Sequence, residues 1–211
     1  MTEKNPFVVT INRQLGSGAD FIGKQLAENL GLLYLDREIL QQAATQLNVS
    51  EDAIQSRDEA VPTFWESFME SFAIGIPEDV YRVPPNTLPT SHEIYLAESK
   101  IIKQVADRQS AVIMGRGGYY VLQDHPRRLS LFFHANSEFR LQRLKDIYHY
   151  SEPEALEMIK ASDNTRARYH QMVSGKEWND ARLYDLCLDT SQLGMDVSLK
   201  VILTAIKERF G

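Results

Sequence analysis

The sequence has a single cysteine, no long apolar run and no excess of basic residues, and each shortage disfavours a class of protein. Cys187 cannot form an internal disulfide, which favours a reducing cytoplasm. No apolar stretch reaches the roughly 18 residues of a membrane-spanning helix, and no signal-peptide pattern follows the opening MTEKNP. The formal net charge of -6 disfavours nucleic acid as a partner. We therefore expect a cytoplasmic protein without membrane or nucleic-acid partners, although a local cluster of arginines could bind a small anion.

Motifs of zinc and hydrolytic chemistry are also missing. The five histidines show no metal-ligand spacing, and the chain has neither a cysteine pair nor a glycine–serine nucleophile elbow. We assign no residue as a metal ligand.

Short apolar runs alternate with helical patterns along the chain. The runs are FVVTI (7–11), LLYLD (32–36), SAVIMG (110–115), RLSLFFHA (128–135) and YDLCLDT (184–190). Strands that alternate with helices predict an α/β fold with a parallel five-stranded sheet covered on both faces. Such a sheet binds ligands outside the carboxyl ends of its strands.

Several helices have recognisable boundaries or stripes. Ile22, Leu26 and Leu30 repeat at a spacing of four residues and predict a helix after the first strand. Residues 151–154 (SEPE) have the pattern of a capping box with proline at the first helical position, so a helix should begin there. Residues 196–210 form a last amphipathic pattern.

Residues 37–103 interrupt the alternation, because they contain no convincing strand and include the proline-rich stretch IPEDVYRVPPNTLP. Inserted helical segments of this kind often close over a ligand. Within the segment, Phe64, Phe68 and Phe72 share one helical face. This aromatic helix favours a core or subunit contact, and it is the place where a homo-oligomer could form.

The glycine-rich stretch after the first strand fits two registers of a phosphate-binding loop. One register runs from Gly18 to Lys24 and nearly matches G-x-x-x-x-G-K-[ST], but it starts well past the strand and shortens the helix. The other places the turn at residues 13–18 and starts the helix at Ala19, and we prefer it. Gly16 and Gly18 then permit a tight turn, while the first helical amides point at an anion.

In the preferred register the loop lacks its lysine. Ala19 and Asp20 occupy the places where a lysine and a magnesium-binding hydroxyl are usual. We expect Arg13, two residues beyond the strand, to supply the missing positive charge, while Lys24 forms an exposed pair with Asp20. The alternative for Arg13 is an ion pair with an acid such as Asp36.

Polar residues also follow other predicted strands. Asp36 and Arg37 follow the second strand, and Arg116 is flanked by three glycines after the third. Together with the glycine loop, they predict a site for an anionic ligand at the carboxyl edge of the sheet.

Arginines on the later helical stretches could complete this site. They are Arg140 and Arg143 on SEFRLQRL, and Arg166 and Arg168 beside Asp163 on SDNTRARY. A guanidinium donates two parallel charge-assisted hydrogen bonds, which suits a phosphate. Arginines on a mobile segment would stabilise a transferring phosphoryl group, and a solvated basic helix face is the alternative.

These motifs resemble the cytidylate kinase-like family, a branch of the P-loop nucleoside monophosphate kinases. The resemblance rests on TINRQLGSGADFIGKQLAENLGLLYLDREIL, VIMGRGGYYVL and SDNTRARYHQMVSGKEWNDARLYDLCLDTS. It covers most of the chain and is weakest between residues 50 and 95. It implies a three-layer P-loop kinase fold with a core of residues 1–36, 104–145 and 183–211, a helical acceptor-binding insertion over 37–103, and an arginine-bearing lid over 146–182.

The resemblance also implies ATP-dependent phosphorylation of CMP, dCMP or a related nucleotide, with magnesium. The donor phosphates would meet Gly16, Ser17, Gly18, Ala19 and Asp20. The acceptor would meet Asp36, Arg37 and Arg116, and the catalytic group would comprise Arg13, Arg143, Asp163, Arg166 and Arg168. True cytidylate kinases carry a lysine and a serine or threonine in the loop. Two alternatives therefore stay open: a nucleotide-binding or sensory protein without turnover, and a kinase of another small hydroxyl-bearing metabolite.

Overall fold

The computed structural model describes residues 5–37, 39–40 and 91–211, apart from the side chains of residues 91–93. The chain divides into two compact units, one of residues 1–37 and 102–211 and the other of residues 38–101. Among the described residues of the second unit, Leu40 and Ile101 are buried. The predicted aromatic helix around residues 64–72 lies outside the described residues, and the homo-oligomer expected through it stays a prediction.

The first unit is built on a five-stranded sheet in the order β2-β3-β1-β4-β5, in which every neighbouring pair is parallel. Its strands are β1 (Val8–Arg13), β2 (Leu33–Leu35), β3 (Ala111–Met114), β4 (Arg128–His134) and β5 (Leu186–Asp189). The parallel sheet predicted from the apolar runs is confirmed. β1 lies at its centre and continues past its predicted end at Ile11, because Asn12 and Arg13 pair with β4.

The helices of the described residues alternate with these strands along the chain, and the last helix follows β5. They are α1 (Ala19–Leu30), α2 (Ser91–Arg108), α3 (Gly118–Val121), α4 (Ser137–Tyr148), α5 (Glu152–Ser174) and α6 (Thr190–Phe210), with a short 3-10 helix at Ala181–Leu183. None of these helices is long and apolar enough to cross a membrane.

Local capping signals explain where the helices begin. α1 begins at Ala19, as the preferred loop register predicts. Before α5, the Ser151 N–H donates to Glu154 Oε2 at 2.8 Å, which is half of the predicted capping box, but Pro153 is the second helical residue and not the first. α6 begins at Thr190, earlier than the predicted residue 196, because Asp189 caps a first short turn there. This turn is joined to the rest of α6 at Gly194, whose backbone is not helical.

Helices cover both faces of the sheet. On one face, α1 and α6 bury an apolar core that contributes roughly 1.5–3 kcal/mol per large side chain. Its members include Ile22, Leu26, Ile202, Ile206, Val9, Ile11, Val112, Met114, Leu131 and Phe133. On the other face α3 lies close against β1 and β3, since a Cβ on Gly118 would be 3.3 Å from the methyl groups of Thr10 and Ile113. The three-layer α/β arrangement follows.

A smaller aromatic cluster fixes the C-terminal half of α5 to the sheet. Its buried members are Tyr119, Phe132, Trp178 and Tyr184. The Tyr184 hydroxyl accepts a hydrogen bond from Asn12 Nδ2 at 2.7 Å and donates one to the Trp178 carbonyl oxygen at 2.5 Å. The ring of His170, on α5, lies 5.4 Å from the Tyr119 ring. These contacts hold the arginine-bearing part of α5 beside the carboxyl edge of the sheet.

Candidate active site

The loop between β1 and α1 has the backbone of an anion-binding turn. Gly16 and Gly18 both have φ 82, a left-handed conformation that residues with side chains rarely adopt. Gly16 also packs against α4, since a Cβ there would be 2.9 Å from the Arg140 carbonyl oxygen. Gly18 is the N-cap of α1, so the first N–H groups of this helix have no partner within it. An anion at this turn would be favoured by these donors and by the helix dipole.

Side chains from distant parts of the chain hold this loop in place. Arg140 Nε donates to the Leu15 carbonyl oxygen at 2.7 Å, and Thr190 Oγ1 donates to that of Ser17 at 2.7 Å. Ser17 is fully buried, and its hydroxyl is without a hydrogen-bond partner among the described residues. The predicted contact between Ser17 and the donor phosphates stays a prediction.

Arg13 is the last residue of β1, which corrects its predicted place two residues beyond the strand. Its Nη2 donates to Asp20 Oδ1 at 2.9 Å. Its Nη1 lies against Gly115, where a Cβ would be only 2.6 Å away. Its Nε is buried and has no hydrogen-bond partner in the described part of the chain. The sequence analysis gave an ion pair with an acid such as Asp36 only as the alternative to a phosphate role for Arg13, and the acid that Arg13 binds is Asp20 in the first turn of α1.

Lys24 lies away from the loop. Its side chain is exposed, and its Nζ is 5.9 Å from the centroid of the Tyr34 ring. Since Asp20 binds Arg13, the predicted pair between Lys24 and Asp20 is not the one that forms. Because α1 begins at Ala19, the register that would make Lys24 the loop lysine is excluded.

Arg166, on α5, places its guanidinium in a buried environment within electrostatic reach of Arg13. Its Nη1 is buried and, within the described residues, has no hydrogen-bond partner. Burial and, after it, the charge of Arg13 lower the pKa of Arg166, while Asp20 and Asp163 partly offset this, and the net pKa is about 10. Arg166 is still a cation at neutral pH. Two like charges that keep unused donors therefore lie near each other, which favours an anionic ligand.

Arg116 joins the same group of charges. It has φ 51, and its Cζ lies 4.7 Å from the centroid of the Tyr169 ring. His170 lies within electrostatic reach of this group. Its pKa is lowered to about 4, mainly by burial and further by the charges of Arg166, Arg116 and Arg13. His170 is therefore neutral at pH 7. Arg13 at the end of β1 and Arg166 on α5, each with a buried nitrogen that has no partner in the described residues, are called the open arginines. Arg116 follows β3 and belongs to the same group of charges.

Asp163 is bound by Arg140. The buried Arg140 Nη2 donates to both carboxylate oxygens of Asp163, at 2.8 and 2.9 Å. The sequence analysis assigned Asp163 to catalysis, but this contact gives it a structural partner. It named Arg140 with Arg143 among the arginines that could complete the anion site, because no local pattern distinguishes a buried arginine from an exposed one. We call Arg140, Asp163 and the Leu15 carbonyl group the bonded bridge.

Two other predicted residues lie near the loop. Arg143 Nε would be 3.4 Å from a Cβ on Gly18. Asp36 is half-buried directly after β2. Burial raises the pKa of Tyr34, and the charges of Asp20 and Asp36 raise it further, so both acids lie within electrostatic reach of Tyr34.

The last two predicted residues are exposed. Arg37 directly follows Asp36 and is open to solvent. Arg168 lies two residues beyond Arg166 on α5, about 200° around the helix, and so points to a different side. The placement of Arg168 does not support its predicted role beside Arg166.

The five-stranded parallel sheet with a glycine turn between its central strand and α1 is the α/β fold of the P-loop kinases, and solved structures share it. A protein from Eubacterium ventriosum ATCC 27560, described as uncharacterized, has a TM-score of 0.72 and 22% identity, over 96% of this chain and 99% of that one. A gluconokinase from Sinorhizobium meliloti 1021 has a TM-score of 0.54 and 13% identity, over 99% and 95%. At these identities the likeness concerns the fold alone.

Residues 8–192 match the sequence profile of the cytidylate kinase-like family, and the chain belongs to this family. The resemblance stated from the motifs is thereby confirmed. A cytidylate kinase from Shouchella clausii (strain KSM-K16) is 26% identical, over 96% of this chain and 96% of that protein. Family membership supports a kinase that acts on a nucleotide or another small molecule.

Proposed function

We propose that this protein transfers the terminal phosphoryl group of ATP to a nucleoside monophosphate, with CMP or dCMP as the acceptor. The observation that carries the proposal is the group of open arginines at the carboxyl edge of the sheet. Arg13 and Arg166 each keep a buried guanidinium nitrogen without a partner in the described residues. The similar cytidylate kinase supports the choice of acceptor. Cys187 favours a cytoplasmic location, which belongs to the same proposal.

The charge pattern suits phosphoryl transfer, which depends mainly on positioning and on charge stabilisation. The amides at the start of α1 bind the donor phosphates. Arg166 binds the transferring phosphoryl group, where its buried donor is worth more than an exposed one. Arg116 and Asp36 bind the acceptor, with Arg37 at the edge. Arg143, beside Gly18, binds the donor side.

The reaction needs no catalytic base from the chain. A phosphate oxygen of the acceptor forms the new bond to the terminal phosphorus of ATP, and the bond from that phosphorus to the oxygen retained by ADP breaks. The attacking phosphate oxygen carries no proton at neutral pH, so there is none to remove. Asp163 can therefore be bound by Arg140 without loss of chemistry.

The site fits magnesium only as a nucleotide-bound ion. The described residues contain no group of three or more His, Cys, Asp or Glu side chains that could hold a metal. Magnesium usually keeps several waters and binds through one or two carboxylates and the substrate phosphates. Asp20 and Asp36 are the carboxylates that would serve it here. Magnesium bound in this way neutralises charge on the phosphates.

A second candidate is a nucleotide-binding protein without turnover. Ala19 and Asp20 favour it, because they remove the lysine and the neutral hydroxyl of an ordinary loop. The open arginines favour the kinase, since pure binding needs no charge at the transferring group.

ADP release with ATP and magnesium, measured against CMP, dCMP, UMP, AMP, a sugar acid and small alcohols, tests the proposal. We expect release that depends on CMP or dCMP and falls in Arg116→Ala. Arg182→Ala is the matched control, because Arg182 is 89% exposed and pairs with Asp180. ADP release only with the sugar acid or a small alcohol would show that the acceptor is a hydroxyl metabolite and not a nucleotide. Nucleotide binding without release under any condition would establish the second candidate.

A further inference from the structure

We propose that Arg13 and Asp20 form one phosphate-binding unit that replaces the lysine missing from the loop. Arg13 is the phosphate contact, and Asp20 is the residue that positions it. This inference rests on the proposed binding of nucleotide phosphates at the loop. It adds the way in which the positive charge is held there.

Three contacts fix the guanidinium of Arg13. Its backbone is held in β1 by the pairing with Phe133 of β4. Its Nη2 is bonded to Asp20 at 2.9 Å, and its Nη1 occupies the space that a side chain at position 115 would need. Gly115 has φ 71, so the turn after β3 requires a glycine at this position. Because glycine has no side chain, the same turn leaves room for the guanidinium of Arg13. The Arg13 side chain is 19% exposed as a result.

The contacts of Arg13 leave part of its donor capacity unused. A guanidinium carries five N–H donors, and the bond to Asp20 uses one of them. The buried Nε of Arg13 has no partner within the described residues. A phosphate oxygen at the start of α1 would satisfy this donor together with the free helix amides. It would also relieve the repulsion between Arg13 and Arg166.

Asp20 does not itself contact the phosphates as a donor, because an ionised carboxylate donates no hydrogen bond. It lies in the first turn of α1, where the helix dipole favours a negative charge. Its side chain is 59% exposed, so it is well hydrated and needs no partner for its own stability. Its bond to Arg13 instead orders a long, flexible side chain before the ligand arrives. The conformational entropy of that side chain is therefore not lost on binding, which favours affinity.

The test is the affinity of ATP and of inorganic tripolyphosphate, measured by titration calorimetry in EDTA so that no metal contributes. Arg13→Ala should weaken binding about ten- to a hundredfold, the range of one charged hydrogen bond. Arg13→Gln, which keeps a polar side chain at the end of β1, serves if the alanine variant does not fold. Lys24→Ala removes the same charge from the outer side of α1 and should change the affinity less than about twofold, because an exposed charge is screened. Loss in Lys24→Ala with normal binding in Arg13→Ala would overturn the assignment.

A double-mutant cycle tests the positioning role of Asp20. In an Asp20→Ala background, the loss caused by Arg13→Ala should shrink to less than about threefold, because the unanchored arginine contributes little. Any direct repulsion between Asp20 and the phosphates cancels in this comparison, since it affects both members of each pair. An equal loss in both backgrounds would show that Asp20 does not position Arg13.

The unit and the proposed kinase activity can fail separately. If tripolyphosphate binds with the expected coupling between Arg13 and Asp20 but no ADP is released, the kinase is refuted and the unit is left intact. Normal CMP phosphorylation by Arg13→Ala would refute the unit and leave the kinase intact. If the unaltered protein binds neither ATP nor tripolyphosphate at millimolar concentration, both are wrong.

Discussion

The bonded bridge and the open arginines place charged side chains beside the same glycine loop, and they differ in how far their donors are used. In the bonded bridge, Arg140 donates to the Leu15 carbonyl oxygen and to both oxygens of Asp163. Among the open arginines, Arg13 Nε and Arg166 Nη1 are buried and, in the described part of the structure, bind nothing.

This difference separates two uses of a buried charge. A buried arginine whose donors are matched by acceptors of the chain links elements, and here Arg140 joins the loop, α4 and α5. A buried arginine with unmatched donors is costly in the free protein and is kept where a ligand completes its bonds. The bonded bridge should therefore control stability, and the open arginines should control ligand binding and turnover.

The largest expected effect is on turnover, in Arg166→Ala. Loss of one charge-stabilising donor should lower kcat about 10²- to 10³-fold. The melting temperature should not fall, because the arginine removed had an unmatched buried donor. ADP release and thermal unfolding are measured on the same sample, with Arg182→Ala as the exposed control. A parallel loss of activity and melting temperature would make Arg166 part of the structural framework.

Arg140→Ala tests the other half of the comparison, because it should lower the stability of the protein by removing the bonded bridge. Removing one partner of a buried ion pair costs about 3–5 kcal/mol, and the 27% exposure of Asp163 puts the expected loss at about 3 kcal/mol. Urea unfolding measures it. Lys145→Ala, which removes an exposed pair with Glu152 at 3.8 Å, should change stability by less than about 0.5 kcal/mol. Similar values for the two variants would contradict the structural role of the bridge.

A smaller effect is expected from pH, through His170. The ordinary pKa of His170 is 6.5, and burial together with the open arginines lowers it to about 4 in the folded chain. Between these values the unfolded chain binds the extra proton, so folding stability falls as the pH falls. Going from pH 7 to pH 5 should cost about 2 kcal/mol. Urea unfolding at both pH values checks this.

The replacement His170→Phe sharpens that measurement, because it keeps a ring among Tyr119, Tyr169 and Trp178. It should remove most of the pH dependence in this range. A phosphate bound among the open arginines should also raise the pKa of His170, which NMR titration would detect. An unchanged slope in His170→Phe would assign the pH dependence to other groups.

Local sequence patterns were sufficient for the elements and insufficient for the contacts. The start of α1 at Ala19 could be predicted, because the stripe of Ile22 and Leu26 and the preceding glycines depend on neighbouring residues only. The end of β1 could not, since Asn12 is polar and its burial depends on the distant Tyr184. The pairing of Asp163 with Arg140 and the exposure of Arg168 could not be predicted for a similar reason. Arg166 and Arg168 are close in sequence but lie on different sides of α5. Asp163 is already paired because of Arg140, which is distant from it in sequence.

The sequence by itself determined the parallel α/β sheet, the glycine turn before Ala19 and the family, because apolar periodicity, glycine and short motifs act over a few residues. Only the tertiary structure decided that Asp20 binds Arg13, that Arg140 binds Asp163, and that Arg13, Arg116 and Arg166 all lie within electrostatic reach of His170. Charged side chains are long and find partners across the fold. Which of them keep donors for a ligand therefore depends on the arrangement of strands β1 and β3 and helices α1, α4 and α5.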